Sequence, residues 1–207
     1  TSSTKGLVTW TQTKILGTST YLNSVNYYDD NGRVIQKQSS NITGGTDVTT
    51  SQYGWAGHPL VNIQKIQIVG INSQTQEIVT RMSYDDLGRV IEIKKAVNSD
   101  INGVVVNKAE QSIVKNEYDK LGQLKNAKLA PSYNSGGGLE NLSYDYNIRG
   151  WMLGMNRAYV RDDNNNNYFG FDLGYDKIDN NLIGGQVYAS AKYNGSINGT
   201  VWKSKGD

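Results

Sequence analysis

Residues 28–35 read YDDNGRVI, and residues 84–91 repeat this octet with one change, as YDDLGRVI. In both octets Tyr-Asp ends a run of alternating apolar and polar residues, and a Gly follows three positions after the Asp. An Asp at the end of a strand accepts a hydrogen bond from the amide two residues on, which closes an Asx turn. The Gly supplies the positive φ that a type I turn with a bulge requires. Each octet therefore predicts a β-hairpin.

The same motif returns further along the chain. A third copy covers residues 118–124, and a fourth, stretched by two residues, covers 144–153; Tyr175-Asp176 and Tyr193-Asn194-Gly195 are decayed fifth and sixth copies. The copies start 56, 34, 26, 31 and 18 residues apart, so the turn is constant and the linkers vary. The predicted turn residues are Tyr28, Asp29, Gly32, Arg33, Tyr84, Asp85, Gly88, Arg89, Tyr118, Asp119, Gly122, Tyr144, Asp145, Arg149 and Gly150.

These patterns predict an all-β fold in which tandem β-hairpins form a curved, mostly antiparallel sheet. A single hairpin is marginally stable in water, so successive hairpins must pair edge to edge. The apolar alternation changes phase near residues 64–65, which predicts a β-bulge there. Helical periodicity is not sustained anywhere, so we expect at most one or two short helical turns. Residues 1–207 are interpreted as one repeat region, with imperfect units that begin near 21, 78, 113, 140, 170 and 188.

The composition limits the kinds of core, partner and membrane segment that we expect. Hydrophobic residues make up 37% of the 207 residues and charged residues 19%, which fits a thin sheet with a modest core. The net charge is +2, and Lys and Arg mostly stand singly, with no run like those of nucleic-acid patches, so we expect no nucleic acid partner. No cysteine is present, and no apolar run is long enough to span a membrane as a helix. We expect both ends of the sequence to continue into a longer chain.

No constellation of catalytic residues is recognisable, so we expect no enzyme, no metal and no cofactor. His58 is the only histidine, which excludes a zinc site built on several His or Cys ligands. Asp162, Asn164 and Asn166 stand at alternate positions, as the oxygen ligands of a calcium loop do. Positions six and twelve of an EF-hand loop, which require a Gly and an acid, are occupied here by Asn167 and Leu173. We therefore interpret residues 162–167 as a polar hairpin tip. The recurring Asp residues fit turn formation better than a glycosidase pair of carboxylates.

Aromatic residues are the remaining candidates for binding. The chain has 14 Tyr and four Trp but two Phe, so most rings carry a polar group. Cross-strand pairing between neighbouring hairpins is the favoured explanation. Stacking on a ligand is the alternative, and it would involve the tryptophans outside the turn motif, which are Trp10, Trp55, Trp151 and Trp202.

The chain resembles the RHS/YD-repeat family over nearly its whole length. The core of the resemblance is the pattern Tyr-Asp-x-x-Gly-Arg-Val at 28–34 and 84–90, with Gln123 replacing the Arg in the third copy. Residues 146–152, which read YNIRGWM, resemble the YNIRGWL segment of long bacterial members. Residues 193–203, which read YNGSINGTVWK, resemble the block that follows it in those members.

This resemblance implies a large secreted or cell-surface protein whose repeats form a β-strip that spirals into a hollow shell. In toxin members the shell encloses a C-terminal toxin domain, and in animal relatives it serves cell adhesion. Some members cleave themselves near an Asp-Pro-x-Gly junction. Neither Pro59 nor Pro131 follows an Asp, so self-cleavage is not carried over to this chain.

Two functions remain open from the sequence. The first is a non-catalytic structural segment whose partners are the remaining repeats and a C-terminal toxin domain. The alternative is a module whose surface binds a carbohydrate or a protein. Unpaired strand edges also predict self-association of the isolated segment.

Overall fold

The computed structural model describes residues 4–161, 167–176 and 187–206. Thirteen strands form one open antiparallel sheet, in which each strand pairs with its neighbours in the sequence. The all-β prediction with tandem hairpins is therefore confirmed. The strands are β1 (Trp10–Lys14), β2 (Tyr21–Tyr28), β3 (Val34–Ser40), β4 (Thr46–Tyr53), β5 (Pro59–Ile68), β6 (Gln74–Tyr84), β7 (Val90–Ile101), β8 (Val104–Tyr118), β9 (Leu124–Leu129), β10 (Glu140–Tyr146), β11 (Met152–Met155), β12 (Phe169–Gly174) and β13 (Gly199–Ser204).

Helix is confined to two short pieces in the described part of the chain. A single α-helical turn, α1, covers Arg157–Arg161, and a 3-10 turn covers Asn134–Gly136. Both lie in connections between strands, as the lack of helical periodicity predicts. The helix α1 carries two arginines, Arg157 and Arg161.

The chain divides into two compact units, residues 1–112 and 113–207. In the described residues of the first unit, no hydrophobic side chain is fully buried. Its strands carry half-buried residues on both faces, with many Thr, Gln, Asn and Ser. A single layer of sheet with this composition is held by its backbone ladder and by cross-strand side-chain pairs.

The second unit contains the buried core. Val160 of α1 is fully buried, and it packs with Tyr188 and Val201. Alternate glycines in β12 allow this approach: a Cβ at Gly170 would lie 3.0 Å from Cγ2 of Val160, and a Cβ at Gly174 would lie 2.3 Å from Cδ2 of Tyr188. The pattern FGFDLG in β12 is therefore the sequence of a strand covered closely on one face.

The bulge predicted near residues 64–65 is wrong. Strand β5 pairs without a register shift with β6 from Val61 to Ile68, and with β4 through Lys65. The shifts occur instead at the strand ends that precede five hairpin turns, at Tyr28, Tyr53, Tyr84, Tyr118 and Tyr146. The change of apolar phase in β5 needs no bulge, because the first unit buries neither face completely and tolerates apolar residues on both.

Candidate functional site

The predicted Asx turn is present in the first two copies of the motif. Oδ1 of Asp29 accepts hydrogen bonds from the amides of Asn31 and Arg33 at 2.9 Å each, and Nε of Arg33 donates to Oδ2 at 2.6 Å. Asp85 makes the same contacts with Leu87 and Arg89. Glycines at φ +75° and +78° follow three residues after each Asp, as the type I turn with a bulge requires.

These hydrogen bonds hold the carboxylates in the charged form. The amide of Arg33 lowers the pKa of Asp29 below its ordinary value, and the guanidinium of Arg33 adds to this effect. The pKa of Asp85 is lowered first by the Arg89 guanidinium and then by the Arg89 amide. The arginine at the fifth turn position is thus a partner of the turn-forming acid.

The third turn follows the same plan without an arginine. Oδ1 of Asp119 accepts hydrogen bonds from the amides of Leu121 at 2.8 Å and Gln123 at 2.9 Å. The side-chain amide of Gln123 donates to the carbonyl of Gly150 at 3.3 Å. The fifth position of this turn therefore reaches the following turn.

The fourth turn starts two residues later than the sequence suggested. Oδ1 of Asn147 accepts hydrogen bonds from the amides of Arg149 at 2.9 Å and Trp151 at 3.0 Å, and the Gly150 amide donates to the Asn147 carbonyl. Tyr144 and Asp145, which were predicted to begin this turn, lie in β10, where Asp145 pairs with Gly154. The distance to the glycine decides the position, because only a residue three before Gly150 completes the turn.

A further turn of the same shape was missed by sequence reasoning. It runs from Gly54 to His58, with the Gly57 amide donating to the Gly54 carbonyl at 3.0 Å and the Gly54 amide to the His58 carbonyl at 2.8 Å. No acid marks it, so the signal that remains is a Tyr just before the turn and a Gly in its fourth position. Asn41 also closes an Asx turn, in which its Oδ1 accepts hydrogen bonds from the amides of Thr43 and Gly45.

A tyrosine at a strand end links two hairpins of the first unit to the preceding hairpin. Tyr53 donates to the carbonyl of Val34 at 3.2 Å, and Tyr84 donates to the carbonyl of Pro59 at 2.7 Å. The acceptor in each case directly follows the fifth residue of the preceding turn. We call this arrangement the tyrosine ladder, defined by Tyr53, Tyr84 and Tyr175, whose acceptor Met152 likewise follows the fifth residue of the fourth turn. Tyr28 also donates to a backbone carbonyl, that of Val8 before β1.

Stacking accompanies these hydrogen bonds. The Arg33 guanidinium lies 4.8 Å from the Tyr53 ring centroid, and the His58 ring stacks on Tyr84 at 4.9 Å. In the second unit the Trp151 ring lies 5.3 Å from Tyr175, whose hydroxyl donates to the carbonyl of Met152 at 3.0 Å. Tyr175, a decayed copy by sequence, therefore makes the same contacts as the well-preserved copies. The lone histidine contributes a stacked ring to this ladder.

A cavity of about 600 Å³ lies in the second unit. The fourth turn, helix α1 and the end of β12 line it, together with Tyr175 and Tyr188. At its edge Asp172 is 2% exposed. Oδ2 of Asp172 accepts hydrogen bonds from Arg157 at 2.7 Å and Arg161 at 3.0 Å, and its Oδ1 accepts one from the Tyr188 hydroxyl at 2.8 Å. Burial and the bond to Asp172 raise the pKa of Tyr188.

Sequence reasoning did not find this charged cluster of Asp172, Arg157, Arg161 and Tyr188. The spacing of four between Arg157 and Arg161 is a helical spacing, but a helix of five residues leaves no detectable period. Nothing in the sequence near Asp172 marks it as buried and paired. The stretch considered for calcium, 162–166, lies outside the described residues; Asn167 donates to Glu140 at 3.1 Å.

The four tryptophans have different surroundings. In the first unit, Trp10 lies exposed in β1, and Trp55 is fully exposed at the tip of the turn between β4 and β5. In the second unit, Trp202 is exposed in β13, whereas Trp151 is half-buried. Arg149 lies 5.1 Å from the Trp151 ring, and Tyr175 packs against it. Trp151 is thus the tryptophan of this set that lines the cavity.

Comparison with models of known protein families finds no match, and comparison with curated proteins finds none either. The resemblance to the RHS/YD-repeat family therefore depends on the motif residues alone. Within residues 4–161, 167–176 and 187–206, no three His, Cys, Asp or Glu residues are grouped so as to hold a metal ion. Over the same residues, no helix has the length and apolar character needed to cross a membrane.

Proposed function

We propose that this chain is a non-catalytic structural segment of a large exported bacterial RHS/YD-repeat protein. It contributes to a β-shell that encloses or displays a C-terminal toxin domain, and its location is extracellular or at the cell surface. Its partners are the remaining repeats of the parent chain and that C-terminal domain.

The tyrosine ladder is the observation that carries this proposal. Each link is made from one hairpin to the preceding one, by a Tyr hydroxyl bonded to a backbone carbonyl and a ring stacked on a turn side chain. Such a link can be repeated along a sheet, because Tyr53, Tyr84 and Tyr175 reach equivalent carbonyls, each directly after the fifth residue of a preceding turn. It uses the characteristic motif residues for assembly, which favours a structural role over a catalytic one.

The exposed first strand supports the same proposal. All five residues of β1 are exposed, and β1 pairs on one side with β2. A strand edge of this kind is a template for another strand. Further hairpins of the parent chain would cover it.

Protease protection in the whole parent protein tests the proposal. A shell predicts that the C-terminal domain resists protease within the parent and is digested rapidly when it is prepared alone. Equal rates of digestion in both preparations would overturn the enclosing role. Detection of the parent in the culture medium or at the cell surface tests the location separately.

Binding of a carbohydrate or a protein by the surface is the second candidate. Full exposure of Trp55 at a turn tip favours it, since Trp is enriched among the residues that carry most of the binding energy at interfaces. In a glycan array, Trp55→Ala is expected to abolish any saturable signal. Leu87→Ala, at an exposed tip of the next turn of the same type, is the matched control. Unchanged binding in Trp55→Ala would exclude a site at this ring.

A further inference from the structure

The cavity of the second unit has a surplus of positive charge. Three arginines line it, namely Arg149, Arg157 and Arg161, against two carboxylates, those of Asp172 and Asp176. Asp172 already accepts bonds from two of the arginines and from Tyr188, so its oxygens are engaged. Arg157 has a second acidic neighbour, since its Nη1 lies 3.8 Å from Oδ2 of Asp145, and the exposed Asp176 remains in the lining. Arg149 and Arg161 are therefore the guanidinium groups of the lining that are left for an entering anion.

Two of the arginines are accessible for such an anion. The side chain of Arg161 is 40% exposed, and it gives one of its N–H groups to Asp172 at 3.0 Å. Arg149 is exposed, and it donates from Nη1 to the carbonyl of Tyr193 at 3.1 Å. A guanidinium has five N–H donors in a planar fork that matches a carboxylate. Each arginine therefore retains donors beyond its bond within the chain.

The cavity also offers flat apolar surface beside this charge. The rings of Trp151 and Tyr175 lie 5.3 Å apart, and the Arg149 guanidinium lies 5.1 Å from the Trp151 ring. Aromatic rings pack favourably on the flat face of another ring compound. The acid group and the ring of one ligand would thus meet adjacent groups of the wall. A volume of about 600 Å³ suits a small molecule.

The site is held in shape before any ligand arrives. Asp172, 2% exposed, fixes Arg157 and Arg161 through charge-assisted bonds and is itself fixed by Tyr188. The fourth turn is closed by Asn147, which orients Arg149 and Trp151. Preorganisation of this kind lowers the entropic cost of binding.

We propose that this cavity binds a small ring compound that carries a carboxylate. The inference goes beyond the structural role and is independent of it, because it concerns a site inside one unit. Two sources share this chemistry: a saccharide with a uronic acid, and an aromatic carboxylic acid.

Titration calorimetry on the intact chain tests the proposal with matched acid and neutral probes. Digalacturonate is compared with its methyl ester, and phenylacetate is compared with 2-phenylethanol. We expect saturable binding of an acid, weakening with added salt, and no comparable binding of its neutral partner. The acid that binds identifies the source. Saturable binding of neither acid, or equal binding of acid and neutral partner, overturns the proposal.

Variants locate the binding. Arg149→Ala and Arg161→Ala, each checked for an unchanged circular dichroism spectrum, are expected to weaken acid binding by about tenfold or more, the loss of a hydrogen bond to a charged group. Arg161→Lys keeps the charge and is the alternative if Arg161→Ala does not fold. Arg81→Ala removes an exposed arginine of the first unit that pairs with Glu110, and it is expected to bind as the wild type does. Wild-type affinity in both Arg149 and Arg161 variants would also overturn the site.

Discussion

At the scale of single residues, the acid at the start of each turn accepts several hydrogen bonds at once. Asp29 and Asp85 each accept two amides and one guanidinium, whereas Asn147 accepts two amides. The amide oxygen of Asn suffices for the turn, and the carboxylate adds the ion pair. Turn closure thus requires a side-chain oxygen that accepts hydrogen bonds, whereas the ion pair with arginine requires the negative charge of Asp.

A pH dependence of stability follows from the depressed pKa values of Asp29 and Asp85. Hydrogen bonds from Arg33 and Arg89 lower these pKa values below the ordinary 3.8 in the folded chain. The stabilisation is therefore complete above the ordinary pKa and is lost as the pH falls through the folded pKa. Urea unfolding followed at neutral pH and at progressively lower pH is expected to show the midpoint declining below about pH 4.

The double variant Asp29→Asn with Asp85→Asn is the control for this prediction. Each Asn keeps a side-chain oxygen that can accept the backbone amides, as Oδ1 of Asn147 does in the fourth turn. Both titrating carboxyl groups are removed. Its decline below pH 4 is expected to be shallower than that of the wild type. Parallel declines would show that other acids dominate the pH dependence.

Replacement of the turn glycine by alanine can destabilise the chain in two ways, through backbone strain and through a close steric contact. Gly32 and Gly88 have φ of +75° and +78°, so alanine at either position is strained by about 1–2 kcal/mol. A Cβ at Gly88 would also lie 2.6 Å from Nε2 of His58, whereas one at Gly32 meets Leu7 at an ordinary 3.7 Å. Gly88→Ala is therefore expected to destabilise more than Gly32→Ala in thermal unfolding.

Replacement of His58 tests whether its contact with residue 88 causes the difference between the two glycine variants. In a His58→Ala background the two glycine variants are expected to become equally destabilising, since the strained φ remains and the close contact is gone. An unchanged difference between them would contradict a role for His58.

At the scale of elements, the tyrosine ladder connects the hairpins that contain Tyr53 and Tyr84 to the preceding ones. The register shift at each motif tyrosine places the ring at the strand end, where its hydroxyl reaches a carbonyl of the neighbouring hairpin. The same short motif therefore closes the turn within a hairpin and provides the tyrosine that bonds to the preceding hairpin.

Tyr84→Phe is expected to lower the free energy of unfolding by about 1 kcal/mol. The variant removes the hydroxyl that donates to Pro59 and leaves the stack with His58 in place. Urea unfolding of the wild type and the variant measures the loss. Tyr27→Phe, whose ring is exposed in the same type of strand, is the control and is expected to change little. Equal effects of the two substitutions would remove the ladder as a source of stability.

At the scale of the whole molecule, burial is concentrated in the second unit. The described residues with buried hydrophobic side chains all belong to it, namely Ala127, Tyr159, Val160, Tyr175 and Tyr188. The first unit is held by the backbone hydrogen bonds and side-chain pairs between its strands, whereas the second unit also has a hydrophobic core and the charged cluster around Asp172. We therefore expect the two units to respond differently to substitutions in the core.

Asp172→Ala is expected to destabilise the second unit by about 3–5 kcal/mol, because it leaves two arginines without their buried partner. Tyr188→Phe removes one hydrogen bond to the same carboxylate and is expected to cost about 1 kcal/mol. Hydrogen exchange resolved by residue measures both, with protection lost in β12 and α1. Loss of protection in the first unit alone would contradict this assignment.

The strands and the motif turns were predictable because their causes are local. An acid and the amides two and four residues on, a glycine with positive φ, and alternating β-branched residues are all adjacent in the sequence. The fourth turn shows the limit of this reasoning: Tyr144-Asp145 matched the motif by letter, while the distance to Gly150 placed the turn at Asn147.

Local sequence patterns thus predicted an all-β chain of tandem hairpins and the three acids, Asp29, Asp85 and Asp119, that close turns of the repeated motif. The tyrosine ladder, the paired Asp172 and the cavity became visible in the folded chain alone. The bonded pairs of the ladder and of Asp172 are 11 to 25 residues apart, as in Arg161 with Asp172 and Tyr84 with Pro59, and the cavity joins residues that lie further apart still. Contacts over such distances depend on how strands are paired and which face a helix covers, and neither leaves a short-range pattern in the sequence.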